Sequence, residues 1–198
     1  MTSDLSEIIA ERKSGNENFI SENTAIDLSL KKFWQWSVSD ILSNATRGIL
    51  AEFIVASALG INTGVRTEWE EYDLKCENGL KIEIKSSGYL QSWHQTKLSY
   101  ISFGIQPTYK WNSEIAKFSE NKKRQSDIYV FCILSHKDPK TVNPLNIDQW
   151  EFYILPTQIL NEKVPAQKTI SLSSLLKLKP QISKYGELAE VINKISKL

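Results

Sequence analysis

Soft metal ligands are scarce in this chain. Its 198 residues include two cysteines, Cys76 and Cys132, and two histidines, His94 and His136. They do not cluster, so nothing points to zinc. Both cysteines lie in strand-like apolar runs, where the residue behaves as a small hydrophobe, and a reduced, cytoplasmic protein is the expectation. Net charge is scarce too: 24 basic against 23 acidic residues leave +1 at pH 7. That excludes a basic coat, so any nucleic-acid contact must use local patches. No apolar run is long enough to cross a bilayer, and Met1-Thr2-Ser3-Asp4 lacks the basic stretch and apolar run of a secretory signal. No membrane contact is expected. Internal repeats and low-complexity tracts are missing, which excludes a solenoid.

What is present is an ordinary globular composition, 41% hydrophobic and 24% charged, in a chain long enough to bury one core. It reads as a single domain with an N-terminal helical arm (1–38), a core (39–155) and a C-terminal helical segment (156–198). The arm has a short helix over Leu5 to Lys13 and a second near Leu28 to Trp36. A longer helix follows the cap candidates Ser37 to Ser39 and ends before Gly60. Strands are expected at Tyr72 to Cys76, Leu80 to Ser86, Tyr100 to Ile105, Ile128 to Leu134 and Trp150 to Leu155. Helices are expected over the polar Ser113 to Gln125, Ile170 to Leu178 and Glu187 to Ile195. The fold class is α/β, a mixed central sheet flanked by helices.

Two of these strands form a hairpin, Tyr72-Asp73-Leu74-Lys75-Cys76-Glu77-Asn78-Gly79-Leu80-Lys81-Ile82-Glu83-Ile84-Lys85. A three-residue loop, Glu77-Asn78-Gly79, with Gly79 left-handed, sets Cys76 opposite Leu80 and Asp73 opposite Glu83. Asp73, Glu83 and Lys85 then share one face, and Leu74, Ile82 and Ile84 the other. A two-residue Asn-Gly loop would mix charged and apolar residues on both faces, and the pattern rejects it.

At about 100° per residue, Glu52 falls within a stripe of Ile41, Ala45, Gly48, Ile49, Ala56 and Leu59 on the long helix. It is expected to point inward, and a buried carboxylate needs a partner. Either a salt bridge to a lysine or a raised pKa satisfies it, or it joins Asp73 and Glu83 around a divalent ion. Two carboxylates completed by a main-chain carbonyl such as that of Ile84 and by waters suit Mg²⁺ or Mn²⁺. With Lys85 beside them, they fit phosphodiester hydrolysis.

Asp73 followed by Glu83-Ile84-Lys85, with Glu52 on the preceding helix, resembles the PD-(D/E)XK nuclease superfamily over roughly Ser39 to Leu134, although Tyr72 replaces the motif's proline. The resemblance implies a restriction-endonuclease-like core of helix, three strands, helix and strand. It also implies a metal-dependent endonuclease acting on DNA, with Mg²⁺ at Asp73, Glu83 and Glu52 and Lys85 in catalysis. Many members are dimers, which would make the Trp34-Trp36 helix a homodimer interface. A catalytically inactive module of the same fold, binding nucleic acid or a protein, is the alternative. Secondary candidates are Gln91 beyond the lysine and the basic group Lys117, Lys122, Lys123 and Arg124 for phosphate contact. His94, with no placed partner, is not assigned a role.

Overall fold

Branched and aromatic residues alternating between two buried faces build a five-stranded mixed sheet. The computed structural model describes residues 8–67, 71–109, 111–112 and 117–196. Strands β1 (Asn18–Ser21) and β2 (Thr24–Ser29) precede helices α1 (Leu30–Val38) and α2 (Asn44–Ala58). Then come β3 (Leu74–Lys75), β4 (Lys81–Gly88), β5 (Ser102–Gly104), β6 (Trp111–Asn112), β7 (Lys117–Phe118), β8 (Ile128–Leu134) and β9 (Trp150–Pro156). The chain closes with α3 (Thr157–Lys163), β10 (Thr169–Ser171), α4 (Leu172–Lys177), β11 (Gln181–Ser183) and α5 (Leu188–Ile195).

The central sheet runs β11-β9-β8-β4-β3. Only β4 and β8 are parallel; the other neighbours are antiparallel. Strand β8, Ile-Tyr-Val-Phe-Cys-Ile-Leu, is buried at every position, as a central strand covered on both faces must be. Ile82, Ile84, Val130, Cys132 and Ile154 point to one layer, where α2 supplies Ala51, Ile54 and Val55 and α5 supplies Leu188 and Ile192. Tyr129, Phe131, Ile133 and Leu155 point to the other, against Phe103 of β5, Ile170 of β10, Leu160 of α3 and Leu175 of α4. Burying each large apolar side chain stabilises by roughly 1.5–3 kcal/mol. No helix among the described residues is long and apolar enough to cross a membrane.

The expected strands are all present, but Ser102–Gly104 leaves the central sheet and pairs with β10. The core implied by the resemblance has a helix before its last strand. Between β4 and β8 the described residues carry strands β5, β6 and β7 and no helix. The helix expected over Ser113 to Gln125 lies partly on residues 113–116, outside the described residues; Lys117–Phe118 is a strand paired with β6.

The arm also differs from the expectation. Residues 8–13 form no helix, the earlier part of that segment lying outside the described residues, and β1 and β2 form an antiparallel hairpin. Its turn places Glu22 and Asn23 at φ 49° and 60°, a primed turn that matches the strand twist. No residue of α1 is buried, and Trp36 is 85% exposed, so this tryptophan is not a core residue. Trp34 instead lies over Gly15, where a Cβ would come within 2.8 Å of the ring and φ is +91°. Glycine is therefore required at 15.

Candidate active site

The hairpin adopts the three-residue loop. Leu74 faces Ile82 and Lys75 faces Lys81. Cys76 N donates to Leu80 O at 2.9 Å, Gly79 N to Cys76 O at 2.9 Å, and Gly79 has φ 87°. Ahead of that ladder, Asp73 N donates to Ile82 O at 3.1 Å. Strand β3 begins at Leu74, so β4 loses its regular neighbour at this point. The Asp73 carboxylate takes over, its Oδ2 accepting the Ile84 N–H at 2.6 Å.

Main-chain carbonyls alternate along a strand. Lys81 O accepts from Asp127 N on the β8 side, and Ile82 O accepts from Asp73 N on the β3 side. The Ile84 carbonyl therefore points to the β3 side, next to Asp73. Glu83 and Lys85 have the opposite parity to Ile82 and Ile84 and share the layer of their β8 partners Tyr129 and Phe131. Lys85 Nζ meets Glu83 Oε1 at 2.5 Å.

Burial, and then the Glu83 charge, push the Asp73 carboxyl up from 3.8 to about 6, with Glu52 adding to the rise. The Ile84 N–H and the Lys85 charge oppose it. Burial and then Glu83 also raise the Tyr129 phenol. Two hard carboxylates held beside a main-chain carbonyl, where one is disfavoured as an anion by burial and by its neighbour, have the donor chemistry that accepts Mg²⁺ or Mn²⁺.

Glu52 departs from its expected place. Helix α2 starts at Asn44 with Ser43 as its cap, its Oγ accepting from Thr46 N, rather than after Ser39. Its buried stripe is Arg47, Ala51, Ile54, Val55 and Ala56, while Ala45 and Ile49 are exposed. The wheel was centred about one residue position off, because α2 packs against β4 through Ile82 and Ile84. Glu52 sits on the border of that contact, and Arg66 rather than a lysine satisfies it, Nε to Oε2 at 2.5 Å and Nη2 to Oε1 at 3.1 Å. Among the described residues no three His, Cys, Asp or Glu side chains converge to hold a metal. Asp73, Glu83 and Lys85 are brought together; Glu52 lies within their electrostatic reach but is turned to Arg66.

The wheel also passed over Arg47, which is 2% exposed. Its guanidinium donates to Asn44 Oδ1 at 2.6 Å, Leu42 O at 3.0 Å, Gln91 Oε1 at 3.0 Å and Ser86 Oγ at 3.4 Å. Gln91 returns bonds to Gly88 O at 3.0 Å and Ser99 Oγ at 3.2 Å. Its amide is thus engaged at both ends and clasps the end of β4 to α2. The signal for Arg47 was its spacing from Ala51, Ile54 and Val55 on one helical stripe.

The basic group divides in the same way. Arg124 is buried, donating to Ile105 O at 2.7 Å, Asn161 Oδ1 at 2.8 Å and Val164 O at 3.0 Å. It joins three segments, and its guanidinium is turned into the protein rather than to the surface where a phosphate contact was expected. Removing it orphans buried acceptors, so Arg124→Ala is expected to lower the unfolding free energy by about 3 kcal/mol, read as a shifted urea midpoint. Lys123 is exposed, and Lys122 lies over the Tyr109 ring at 4.9 Å to the centroid. These two keep their charges at the surface. Lys117 lies in β7, its side chain outside the described residues. His94 is exposed.

Comparison with curated proteins finds no match to this chain. The family model for bacteriophage T4 endonuclease IV matches residues 2–174. That match spans α2, the Asp73 to Lys85 hairpin, and the strands β8 and β9 that support it, so the chain belongs to the bacteriophage T4 endonuclease IV family.

Proposed function

We propose that this protein is a metal-dependent endonuclease of the PD-(D/E)XK type that hydrolyses DNA phosphodiester bonds. The observation that carries the proposal is the closeness of two carboxylates and a cation, Asp73 feeling the charges of Glu83 and Lys85 and Lys85 Nζ lying 2.5 Å from Glu83. Membership of an endonuclease family supports the same reaction class.

Asp73, Glu83 and the Ile84 carbonyl would hold Mg²⁺ or Mn²⁺. Bound there, the ion supplies a more acidic water and neutralises phosphate charge. The chain's own residues set the geometry. The Ile84 N–H fixes the Asp73 carboxylate, and strand pairing with β8 fixes Glu83 and Lys85. Lys85 is 30% exposed at its side chain, open enough to meet a substrate. Its ammonium orients the attacking water and offsets charge that grows on the phosphate oxygens in the transition state. Exposed Lys122 and Lys123 are the remaining cations of the basic group for the strand beyond the scissile phosphate.

Purified protein incubated with supercoiled, linear and branched DNA, and with RNA, is expected to cut DNA when Mg²⁺ or Mn²⁺ is supplied and to stop on addition of excess EDTA. Cleavage undiminished by the chelator would sink the metal-dependent reading. Protein that takes up no Mn²⁺ and cuts nothing would favour the inactive binding module.

A further inference from the structure

Glu52 and Arg66 are not used by the reaction described above, and their arrangement carries more than a surface ion pair does. The guanidinium grips both oxygens of one carboxylate, at 2.5 and 3.1 Å. The same planar fork fits two oxygens of a phosphate. Glu52 is carried on α2 and its side chain is 14% exposed, whereas Arg66 lies on an irregular segment past that helix and its side chain is 36% exposed. Of the pair, the arginine is the one that reaches solvent. Both line a cavity of about 380 Å³ that also includes Thr67 and Asp73, with Ile49 and Phe53 on its apolar side. The cavity joins the ion pair to the carboxylate at the head of the proposed metal site.

Around the proposed metal site, three carboxylates outnumber two cations. Asp73, Glu83 and Glu52 are the carboxylates, and Lys85 and Arg66 are the cations, Lys85 on Glu83 and Arg66 on Glu52. A divalent ion at Asp73 and Glu83 adds positive charge close to Arg66 and attracts Glu52. Both effects weaken the hold of Glu52 on the guanidinium. A substrate phosphate arriving at the ion then meets an arginine whose hold on Glu52 has loosened.

Building on the metal-dependent reading, we propose that Arg66 is a substrate-phosphate ligand held in reserve by Glu52. When metal and DNA bind, the arginine transfers from the carboxylate to a phosphate of the substrate, and Glu52 turns toward the ion. Arg66 thus stands to Glu52 as Lys85 stands to Glu83, a cation that occupies a carboxylate until the phosphate comes.

The test uses the full chain, with Arg66→Ala and Arg66→Lys, and two readouts besides cleavage. Mn²⁺ affinity is measured by calorimetry, and the affinity of a labelled oligonucleotide by anisotropy over a salt series, without metal and with Ca²⁺. Arg66→Ala is expected to bind Mn²⁺ at least as tightly as the wild type, because a competitor for Glu52 is gone. With Ca²⁺ it should lose about tenfold in oligonucleotide affinity, and its salt slope should fall by about one. Without metal, its oligonucleotide affinity should match the wild type. Arg66→Lys should retain the salt slope and lose less affinity, since it keeps the charge without the fork. An unchanged affinity and slope in Ca²⁺, or weakened Mn²⁺ binding with normal DNA binding, would overturn the proposal and leave Arg66 as a simple support for Glu52. Wild-type protein that takes up no Mn²⁺ would overturn the metal reading and this proposal together.

Discussion

Lys85→Ala is expected to slow DNA cleavage by about a thousandfold while leaving the protein folded and its Mn²⁺ affinity undiminished. The separation follows from where Lys85 sits. Its ammonium contacts Glu83 at the rim of the site, with a side chain 30% exposed. Such partly solvated pairs contribute at most about 1 kcal/mol to folding, so little stability depends on it. In the transition state, by contrast, charge develops on the phosphate oxygens where solvent is being displaced, and a fixed ammonium there is far more effective than in water. Losing Lys85 also removes the cation that competes with a metal for Glu83, so metal binding should not weaken. Single-turnover cleavage together with calorimetric Mn²⁺ titration reads both quantities. Cleavage at the wild-type rate in the variant would remove Lys85 from the mechanism, and a parallel loss of Mn²⁺ binding would make it a support for Glu83 instead.

Asp73→Asn should have two large and opposite effects. The Asp73 carboxyl is raised from 3.8 to about 6, chiefly by burial and secondarily by Glu83. In the folded state the proton is therefore held more tightly than in the unfolded chain. Stability from this group is complete below about pH 4 and is lost as the pH rises to about 6, so the metal-free protein should weaken across that window. The loss amounts to ~3 kcal/mol above pH 6, at 1.36 kcal/mol per unit. Asparagine carries no charge and can still accept the Ile84 N–H, so the variant should unfold at higher urea than the wild type at pH 8 and lack the decline between pH 4 and 6. It should also lose Mn²⁺ binding and cleavage, and Mn²⁺ should stabilise only the wild type. A variant less stable than the wild type at pH 8 without metal would show that the carboxylate is not destabilising in its site. Here the ionised group that the proposed chemistry needs is one that folding tolerates poorly.

Some of this was legible locally. Asn78-Gly79 between runs of alternating apolar and charged residues admits two turn lengths, and only the longer keeps Leu74, Ile82 and Ile84 on one face. The register of Leu74 against Ile82 and Lys75 against Lys81 followed from a dozen contiguous residues. Strand β8 was equally plain, since an unbroken apolar run bounded by polar residues has few ways to be satisfied. The β1–β2 hairpin was not, because Glu22-Asn23 lacks the glycine that marks such turns and neither strand has a buried face.

The composition and order of residues by themselves determined the alternation that sets Glu83 and Lys85 apart from Ile82 and Ile84, because period-two geometry operates within one hairpin and needs no distant partner. The partners of Glu52, Gln91 and Arg124 were decided by tertiary structure. The helix wheel ranks faces without knowing which layer α2 will cover, and α2 packed on the layer of Ile82 and Ile84 rather than that of Glu83. Arg124 looked like part of a lysine-rich surface until Asn161 and Val164, nearly forty residues along, closed over its guanidinium. Polar and charged side chains satisfy themselves with whatever the fold brings within about 3 Å, and for those three residues that choice is made between elements far apart in the chain.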